Sequence, residues 1–128
     1  MSDNQLVKIL LVDDDRFLLD MYSLKFKKAG LEVDISSTSV GALEKLKTER
    51  YDIILLEAHS PGIDGLELLK VIREEKFLPE VTLVMLTNEE EHLEKAKNLK
   101  VDGYIIKATT IPSEVVEEVL SIYKAKKK

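Results

Sequence analysis

Cysteine is absent from this chain of 128 residues, which excludes disulfide bonds, thiol catalysis and thiolate metal sites together. Proline and glycine are scarce, with three and five residues, and no Pro/Gly/Ser-rich linker divides the chain. A second hydrophobic core would need roughly 100 more residues. We therefore expect residues 1–128 to form one domain, without a separate output domain.

Positive charge is in deficit, since 19 Lys and Arg face 24 Asp and Glu, for a net charge of −5. No overall basic field draws the chain to nucleic acid or to an anionic membrane. Long apolar runs are missing too: residues 1–5 are polar, and the apolar run that follows them is short. A signal peptide and a membrane span are therefore not expected. The sequence predicts a cytoplasmic domain that contacts neither nucleic acid nor membrane directly.

Short apolar runs alternate five times with longer amphipathic stretches, which is the pattern of a β/α repeat. The runs cover residues 7–12, 31–35, 53–56, 81–86 and 104–106. Four are almost continuously apolar, as in parallel strands covered on both faces, whereas the second alternates with acidic residues, as in an edge strand. Right-handed crossovers then predict a doubly wound α/β sheet with strand order 2-1-3-4-5.

Five helices are predicted between and after these strands. They cover about 15–28, a short segment after the cap candidate Ser39, 65–74, a segment opening at Asn88 with Glu91 as its capping-box partner, and a segment from Pro112 onward. The apolar stripe predicted to face the core from the first helix comprises Phe17, Met21 and Leu24 with Leu18 and Tyr22. Gly30 is placed to end that helix, and Gly65 to supply backbone freedom at the entry to the third.

Polar residues follow four of the strands and are expected to converge, because the carboxyl ends of parallel strands share one edge. They are Asp13, Asp14 and Asp15 after the first strand, Glu57 after the third, Thr87 after the fourth and Lys107 after the fifth. Clustered carboxylates repel one another unless a cation lies among them, and an all-oxygen set favours Mg²⁺ or Mn²⁺ over Zn²⁺. Lys107 and Thr87 would face the same point from the opposite side and hold phosphoryl oxygens.

Five strings carry a resemblance that covers nearly the whole chain. They are KILLVDDD at 8–15, DIILLE at 52–57, PGIDGLELL at 61–69, VMLTN at 84–88 and DGYIIKA at 102–108. Together they resemble the receiver domain of two-component response regulators. The resemblance implies a flavodoxin-like (βα)5 fold and a Mg²⁺ site. It also implies these roles: Asp13, Asp14, the residue at the acceptor position Glu57 and the backbone carbonyl of His59 for the metal, Thr87 and Lys107 for phosphate, and Thr87 and Tyr104 for the switch.

The resemblance also implies partners. A histidine kinase or a phosphotransfer protein would supply the phosphoryl group to the carboxylate at the end of the third strand. The change would spread to the face made by the fourth helix, the fifth strand and the fifth helix, where a downstream protein binds. We expect a signalling module, not an enzyme, that is a monomer or a weak homodimer.

The acceptor position departs from the family pattern, because Glu57 stands where receiver domains carry Asp. Glutamate keeps the charge but is longer by about 1.5 Å, and a misplacement of about 1 Å can cost roughly 10²-fold in phosphoryl transfer. We therefore expect phosphorylation to be poor and Glu57 to imitate the phosphorylated state, with one negative charge in place of nearly two. Its origin stays open between natural divergence, an engineered substitution and a designed sequence.

Simpler interpretations compete with these roles. Asp13, Asp14 and Asp15 could only cap the first helix, which is the role expected of Asp15. Lys107 could be a surface lysine, and Glu57 an exposed strand end. A different class of function is a small Mg²⁺-dependent phosphotransfer or phosphatase enzyme on the same fold, although no substrate-binding insertion or acid/base pair supports it. A flavin site is disfavoured because the loop after the first strand is acidic.

Overall fold

The structure is a computed structural model that describes residues 6–60, 62–75, 80–88, 94, 95 and 97–127, with the backbone alone for residues 59, 60 and 75. Two parts of the predicted fourth helix, the capping partner Glu91 and the inward residues Leu93 and Ala96, lie outside the described residues. Residues 94, 95, 97 and 98 are helical, in agreement with a helix in this part of the chain.

The described chain alternates strands and helices as predicted. The strands are β1 (Lys8–Val12), β2 (Glu32–Ser36), β3 (Ile53–Glu57), β4 (His59–Ser60), β5 (Ile63–Asp64), β6 (Thr82–Thr87) and β7 (Gly103–Ile106). The longer helices are α1 (Arg16–Lys28), α2 (Ser39–Thr48), α3 (Gly65–Glu75) and α4 (Pro112–Lys127), and a single 3-10 turn spans Lys107–Thr109.

Five strands form one parallel sheet in the order β2-β1-β3-β6-β7. Counted over the five apolar runs, this is the predicted order 2-1-3-4-5, so the doubly wound α/β fold is confirmed. The two-residue strands β4 and β5 pair antiparallel in the loop after β3, a detail that the sequence pattern did not predict. Strands β3 and β6 are buried along their whole length, because helices cover both faces of the sheet.

Alternate side chains of the central strands pack into two separate hydrophobic cores, one on each face of the sheet. On one face Leu10 packs in a cluster with Leu69 of α3, and on the other Leu11 packs with Phe26 of α1 and Val119 of α4. This division follows from the two-residue period of a strand, which sends neighbouring side chains to opposite faces. The sheet is therefore held on both sides, and its carboxyl edge is fixed in place.

Helix α1 buries a different stripe from the predicted one. The buried side chains are Leu19, Tyr22 and Phe26, whereas Phe17 is 70% and Leu24 is 56% exposed. The prediction was right for Tyr22 and wrong for Phe17 and Leu24. The helix carries apolar residues on two faces, and the face that packs on the sheet is the one with the two large rings of Tyr22 and Phe26.

The ends of α1 follow the sequence signals closely. The Asp15 carboxylate accepts a hydrogen bond from the Leu18 N–H at 3.2 Å and caps the first turn, as predicted. Gly30 has φ +95° and follows the last turn, where its N–H donates to the Lys27 carbonyl at 3.0 Å. The Leu31 N–H donates to the Phe26 carbonyl at 3.1 Å, which completes a Schellman motif.

Two local predictions need correction. Helix α2 is capped by Thr38, whose hydroxyl accepts from the Gly41 N–H at 3.0 Å, while the Ser39 hydroxyl accepts from the Asp64 N–H at 2.8 Å. Gly65 is required by space and not by backbone freedom, because its φ is not positive. A Cβ at Gly65 would lie 1.9 Å from the Glu57 carbonyl oxygen.

The amino edge of the sheet is tied together by one carboxylate. Asp102 Oδ2 accepts from the Leu83 N–H at 2.8 Å and from Lys126 Nζ at 3.0 Å, and Arg73 Nη2 lies 3.9 Å away. Lys126 Nζ also donates to the Val81 carbonyl at 2.7 Å. These contacts join the ends of α3 and α4 to the start of β6, on the side opposite the predicted site. None of the helices in the described part of the chain has the length and hydrophobicity needed to cross a membrane.

Candidate functional site

Four of the predicted site residues lie at the carboxyl edge of the sheet. Asp13 follows β1, Glu57 ends β3, Thr87 ends β6 and Lys107 follows β7. The order of the strands reverses direction between the neighbours β1 and β3, which is where open α/β sheets form their binding crevice. Asp13, Glu57 and Thr87 are all buried, with 2%, 5% and 1% of their surface exposed. A buried polar edge of this kind is the strongest candidate for a functional site in the molecule.

The Lys107 ammonium lies between the two buried carboxylates. Its Nζ donates to Asp13 Oδ2 at 3.0 Å and to Glu57 Oε1 at 2.5 Å. The lysine starts at the end of β7, two strand spacings or about 10 Å from β3, so the side chains of Lys107 and Glu57 both extend along the edge to meet. The sequence predicts Lys107 opposite the carboxylates and a metal among them. In the structure the cation among the carboxylates is Lys107 itself.

Burial and charge act in opposite directions on Lys107. Burial of the ammonium lowers its pKa, but the hydrogen bonds and the negative charges of Glu57 and Asp13 outweigh burial, so the pKa is raised above its usual value. Lys107 is therefore charged at neutral pH. The same charges act on the buried phenol of Tyr22. Burial raises the pKa of this phenol, and the nearby Lys107 ammonium offsets part of the rise. The three groups Asp13, Glu57 and Lys107 form an ion-paired triad with a net charge of about −1.

The other acidic residues of the predicted cluster point elsewhere. Asp14 Oδ2 accepts from the Gly62 N–H at 3.0 Å, which ties the loop after β1 to the loop after β3. Asp13 Oδ1 accepts from the Asp15 N–H at 3.0 Å, and Asp15 caps α1. Asp14 is thus separate from the triad in this arrangement, although it remains at the same edge of the sheet.

A further link at the edge is absent from the sequence-based set. Asn88 Oδ1 accepts from the Ala108 N–H at 2.6 Å, so the loop after β6 is bonded directly to the residue after Lys107. The sequence predicts Asn88 as a helix cap. Its position directly after Thr87 at a strand end was the signal that could have placed it in the site.

Tyr104 and His59 lie at the margins of the site. Tyr104, on β7, is 42% exposed, and Lys97 Nζ lies 5.1 Å from the centre of its ring. The backbone of His59 pairs with Asp64 between β4 and β5. Their predicted roles, in the switch and in metal binding, stay predictions.

The oxygen donors at this edge are chemically suited to Mg²⁺, but their arrangement does not fit a bound ion. Within the described ranges, no group of three or more acidic or histidine side chains is placed to hold a metal. Lys107 is bonded to Asp13 and Glu57, and Asp14 is bonded to Gly62. A divalent ion would have to displace the ammonium from at least one carboxylate. The predicted metal-binding roles of Asp13, Asp14 and Glu57 stay predictions.

Comparisons with known proteins identify the family. The fold and the charged crevice define a doubly wound α/β domain with its site at the carboxyl edge of the sheet. The chain belongs to the response regulator receiver domain family, whose model matches residues 9–119. It is 32% identical over 117 residues to the alkaline phosphatase synthesis transcriptional regulatory protein PhoP of Bacillus subtilis strain 168, covering 90% of this chain and 48% of PhoP.

Other relatives agree. The transcriptional regulatory protein ResD of Bacillus subtilis is 31% identical over 124 residues, which cover 95% of this chain and 50% of ResD. The chain thus spans about half the length of the curated relatives that it matches. A CheY-like receiver domain of Methanospirillum hungatei JF-1 superposes with a TM-score of 0.85 at 28% identity, over 96% of this chain and 98% of that one. The chemotaxis protein CheY4 of Vibrio cholerae superposes with a TM-score of 0.83 at 26% identity, over 92% and 99%.

Membership in the family confirms the predicted flavodoxin-like fold and a role in two-component signalling. It does not favour the alternative of a small phosphotransfer or phosphatase enzyme, because receiver domains are in general signalling domains. Receiver domains interact with histidine kinases or phosphotransfer proteins, and they generally depend on Mg²⁺ for phosphorylation.

Proposed function

We propose that this receiver domain signals through protein binding in a state that Glu57 fixes, and that Glu57 blocks phosphorylation at the acceptor position. The observation that carries the proposal is the contact of Lys107 Nζ with Glu57 Oε1 at 2.5 Å, within a buried crevice. The Glu57 carboxylate therefore accepts a hydrogen bond from Lys107, the residue that, by resemblance to the family, would bind phosphoryl oxygens.

The extra methylene of glutamate explains this geometry. It extends the carboxylate from the end of β3 toward β7, where Lys107 meets it. A carboxylate oxygen that accepts a strong hydrogen bond from an ammonium is a poorer nucleophile. It is also displaced from the position that an aspartate would occupy, and a displacement of about 1 Å can cost roughly 10²-fold in rate. Both effects act against transfer of a phosphoryl group to Glu57.

The same contact supports a resemblance to the phosphorylated state. A phosphoryl group would place nearly two negative charges near Lys107, and Glu57 places one. The carboxylate therefore shifts the equilibrium between the inactive and active surfaces toward the active one, as a phosphoryl group would, but more weakly. We assign the downstream contact to the surface of β7 and α4 together with the helix predicted from Asn88 onward; on β7, Tyr104 is partly exposed. Upstream, a histidine kinase or a phosphotransfer protein remains the proposed binding partner.

For Mg²⁺ we propose weak binding at Asp13, Asp14 and the backbone carbonyl of His59, in competition with Lys107. The competition follows from the bond between Lys107 Nζ and Asp13 Oδ2 at 3.0 Å. Replacing Lys107 with methionine should let about 10 mM Mg²⁺ raise the melting temperature by several degrees more than in the unmodified protein. An equal response of the two proteins would contradict the competition, and Ca²⁺ at the same ionic strength is the control for ion size.

The experiment that tests the block is intact-mass measurement after incubation with Mg²⁺ and acetyl phosphate. Three proteins are compared: the unmodified chain, Glu57→Asp and Glu57→Asn. We expect a gain of about 80 Da in Glu57→Asp alone, because the shorter carboxylate is placed for in-line attack.

Each of three other outcomes would overturn the proposal. A gain of mass in the unmodified chain would show that Glu57 accepts phosphate despite its contact with Lys107. No gain in any variant would show that the crevice itself has lost the chemistry, so that Glu57 is not the block. Equal gains in Glu57→Asp and Glu57→Asn would mean modification at another residue, which peptide mapping would locate.

A further inference from the structure

The amino edge of the domain carries a basic surface where helices α1 and α4 end. Both helices start at the carboxyl edge of the sheet and pack side by side on the same core, so their last turns lie next to each other. The last turn of α1 contributes Lys25, Lys27 and Lys28, and that of α4 contributes Lys124 and Lys127. Lys25 is half-buried and the other four are exposed. We call these five residues the lysine patch.

The lysine patch is not balanced by acidic residues of its own helices. Residues 21–31 and 119–128 contain neither Asp nor Glu. In the part of the chain that the structure describes, none of the five ammonium groups forms an ion pair. Lys127 Nζ lies instead 5.8 Å from the centre of the Tyr123 ring. The patch therefore presents its positive charge to solvent.

The acidic groups on neighbouring elements are paired with other cations. Glu32, at the start of β2, has its Oε2 atom 3.7 Å from Lys8 Nζ. Asp102, before β7, accepts from Lys126 Nζ at 3.0 Å. These pairs leave the charge of the lysine patch in excess at the amino edge.

The polarity of the helices accounts for only part of the patch. The C-terminal end of a helix carries about half a negative charge, which a lysine in the last turn complements. Two such ends need about one positive charge, so five lysines leave an excess of about four. The whole chain has a net charge of −5, and with the five lysines set aside its other residues carry −10. The excess is therefore local, on an otherwise acidic domain.

We propose that the lysine patch is a docking site for a short acidic segment of a partner protein. The charge of the patch selects a negatively charged occupant. A long nucleic acid would run past the patch onto the acidic remainder of the surface, whose repulsion cancels part of the attraction. The patch also offers its bases little to stack on, because the half-buried Tyr123 ring lies beneath Lys127. A few consecutive Asp or Glu residues meet neither obstacle.

The dimensions of the patch set the length and the affinity of the segment. Packed helices lie about 8–10 Å apart, and an extended chain covers about 3.3 Å per residue, so about four to six residues span the two helix ends. Exposed ion pairs each contribute little. We therefore expect a weak contact with a Kd on the order of 100 µM, and weaker binding at higher salt. The patch lies at the edge opposite Glu57, so the segment binds without covering the crevice.

Fluorescence anisotropy of rhodamine-labelled hexaglutamate, titrated with the full chain in about 100 mM NaCl, tests the proposal. At this ionic strength, charges more than about 10 Å away are largely screened. Lys124→Glu combined with Lys127→Glu should raise the Kd at least tenfold, because two attractive contacts become repulsive. Lys25→Gln combined with Lys28→Gln should raise it about threefold, and it serves as a second variant that leaves α4 untouched.

The matched control is Lys45→Glu combined with Lys47→Glu. It changes the net charge by the same amount, also in the last turn of a helix, but α2 packs on the opposite face of the sheet. The Kd should change less than twofold, and melting curves establish that every variant is folded. An equal loss of affinity in this control and in the α4 variant would assign the binding to overall charge and overturn the proposal.

Two further results would also overturn it. One is the absence of binding to hexaglutamate at 1 mM chain. The other is tighter binding of a thymidine strand of six nucleotides than of hexaglutamate, which would make nucleic acid the preferred occupant of the patch. Weaker binding of the strand, together with the loss in both patch variants, is the result that we expect.

Discussion

Replacing Lys107 with methionine removes the ammonium of the triad and keeps most of its apolar stem. The change leaves Asp13 and Glu57 side by side, with 2% and 5% of their surface exposed, and without the cation that bonds to both. Removing one partner of a buried ion pair costs about 3–5 kcal/mol, because the remaining charge stays desolvated. Here two carboxylates lose the Lys107 ammonium, but the crevice lies at an edge that water can reach.

We therefore expect a loss of about 3 kcal/mol in the free energy of unfolding at pH 8, which corresponds to roughly 10 °C in melting temperature for a domain of this size. Urea unfolding measured by circular dichroism between pH 5 and pH 9 is the assay. Adding Glu57→Gln to Lys107→Met should recover a large part of the loss, because it removes one of the two neighbouring negative charges.

Lys70→Met is the matched control, since Lys70 is an exposed lysine on α3, and it should change stability by less than about 0.5 kcal/mol. The raised pKa of Lys107 adds a second test on the alkaline side. Its contribution to stability is complete below the unfolded value of about 10.5 and is lost as pH rises through the higher folded pKa. If Lys107→Met unfolds like the unmodified chain from pH 5 to pH 9, the triad does not stabilise the site, and the reasoning is refuted.

Four further changes test the described structure. Gly65→Ala should destabilise by at least about 2 kcal/mol, because the added Cβ would overlap the end of β3. In the same urea titration Gly30→Ala should cost only about 1 kcal/mol, because a Cβ at Gly30 meets no neighbouring atom and only the positive φ is unfavourable. Equal losses of stability in Gly65→Ala and Gly30→Ala would contradict the steric argument. Thr38→Ala should cost about 1 kcal/mol through the lost cap of α2, and an unchanged unfolding midpoint would argue against that cap. Burial and the hydrogen bond to Asp34 raise the pKa of Tyr51, so stability should fall as pH rises above about 10. Tyr51→Phe should reduce this loss of stability at high pH. The absorbance of the phenolate measures the ionisation of Tyr51 directly.

The sheet could be predicted from the sequence because its signal is strong and local. A parallel strand covered on both faces must be apolar at almost every position, and turns or helices must separate such strands. β3 and β6 show this pattern in full, and they are buried throughout. The strand order then follows from the handedness of the crossovers and the alternating pattern of β2.

Helix α1 could not be resolved in the same way, because two of its faces satisfy the helical period. Phe17, Met21 and Leu24 are spaced by four and three, while Leu19, Tyr22 and Phe26 are spaced by three and four. Periodicity shows that a helix has an apolar face, and only the packing partners show which face is used. The cap at Thr38 was missed for a related reason, since Ser39 beside it also carries a hydroxyl group.

The candidate site, too, could be predicted only in part from the sequence. The convergence of Asp13, Glu57 and Lys107 depends on which residues follow which strands, and that information is in the sequence. The insertion of the ammonium between the carboxylates depends on the side-chain conformations of Lys107, Asp13 and Glu57, which meet from different strands. Sequence patterns carry residue types and spacing, but not the choice between a metal ion and a neighbouring lysine as the balancing charge.

The amino edge that Asp102 and Lys126 hold together has a practical consequence for handling the domain. Near the first described residue, the Val7 carbonyl accepts from the Glu32 N–H at the start of β2, and near the last, Lys126 reaches the Val81 carbonyl. Both ends of the described chain thus lie at the edge opposite Glu57. A fluorophore, a biosensor tether or a fused reporter attached at either end should therefore leave the charged crevice open, and two such labels would sit on the same side of the molecule.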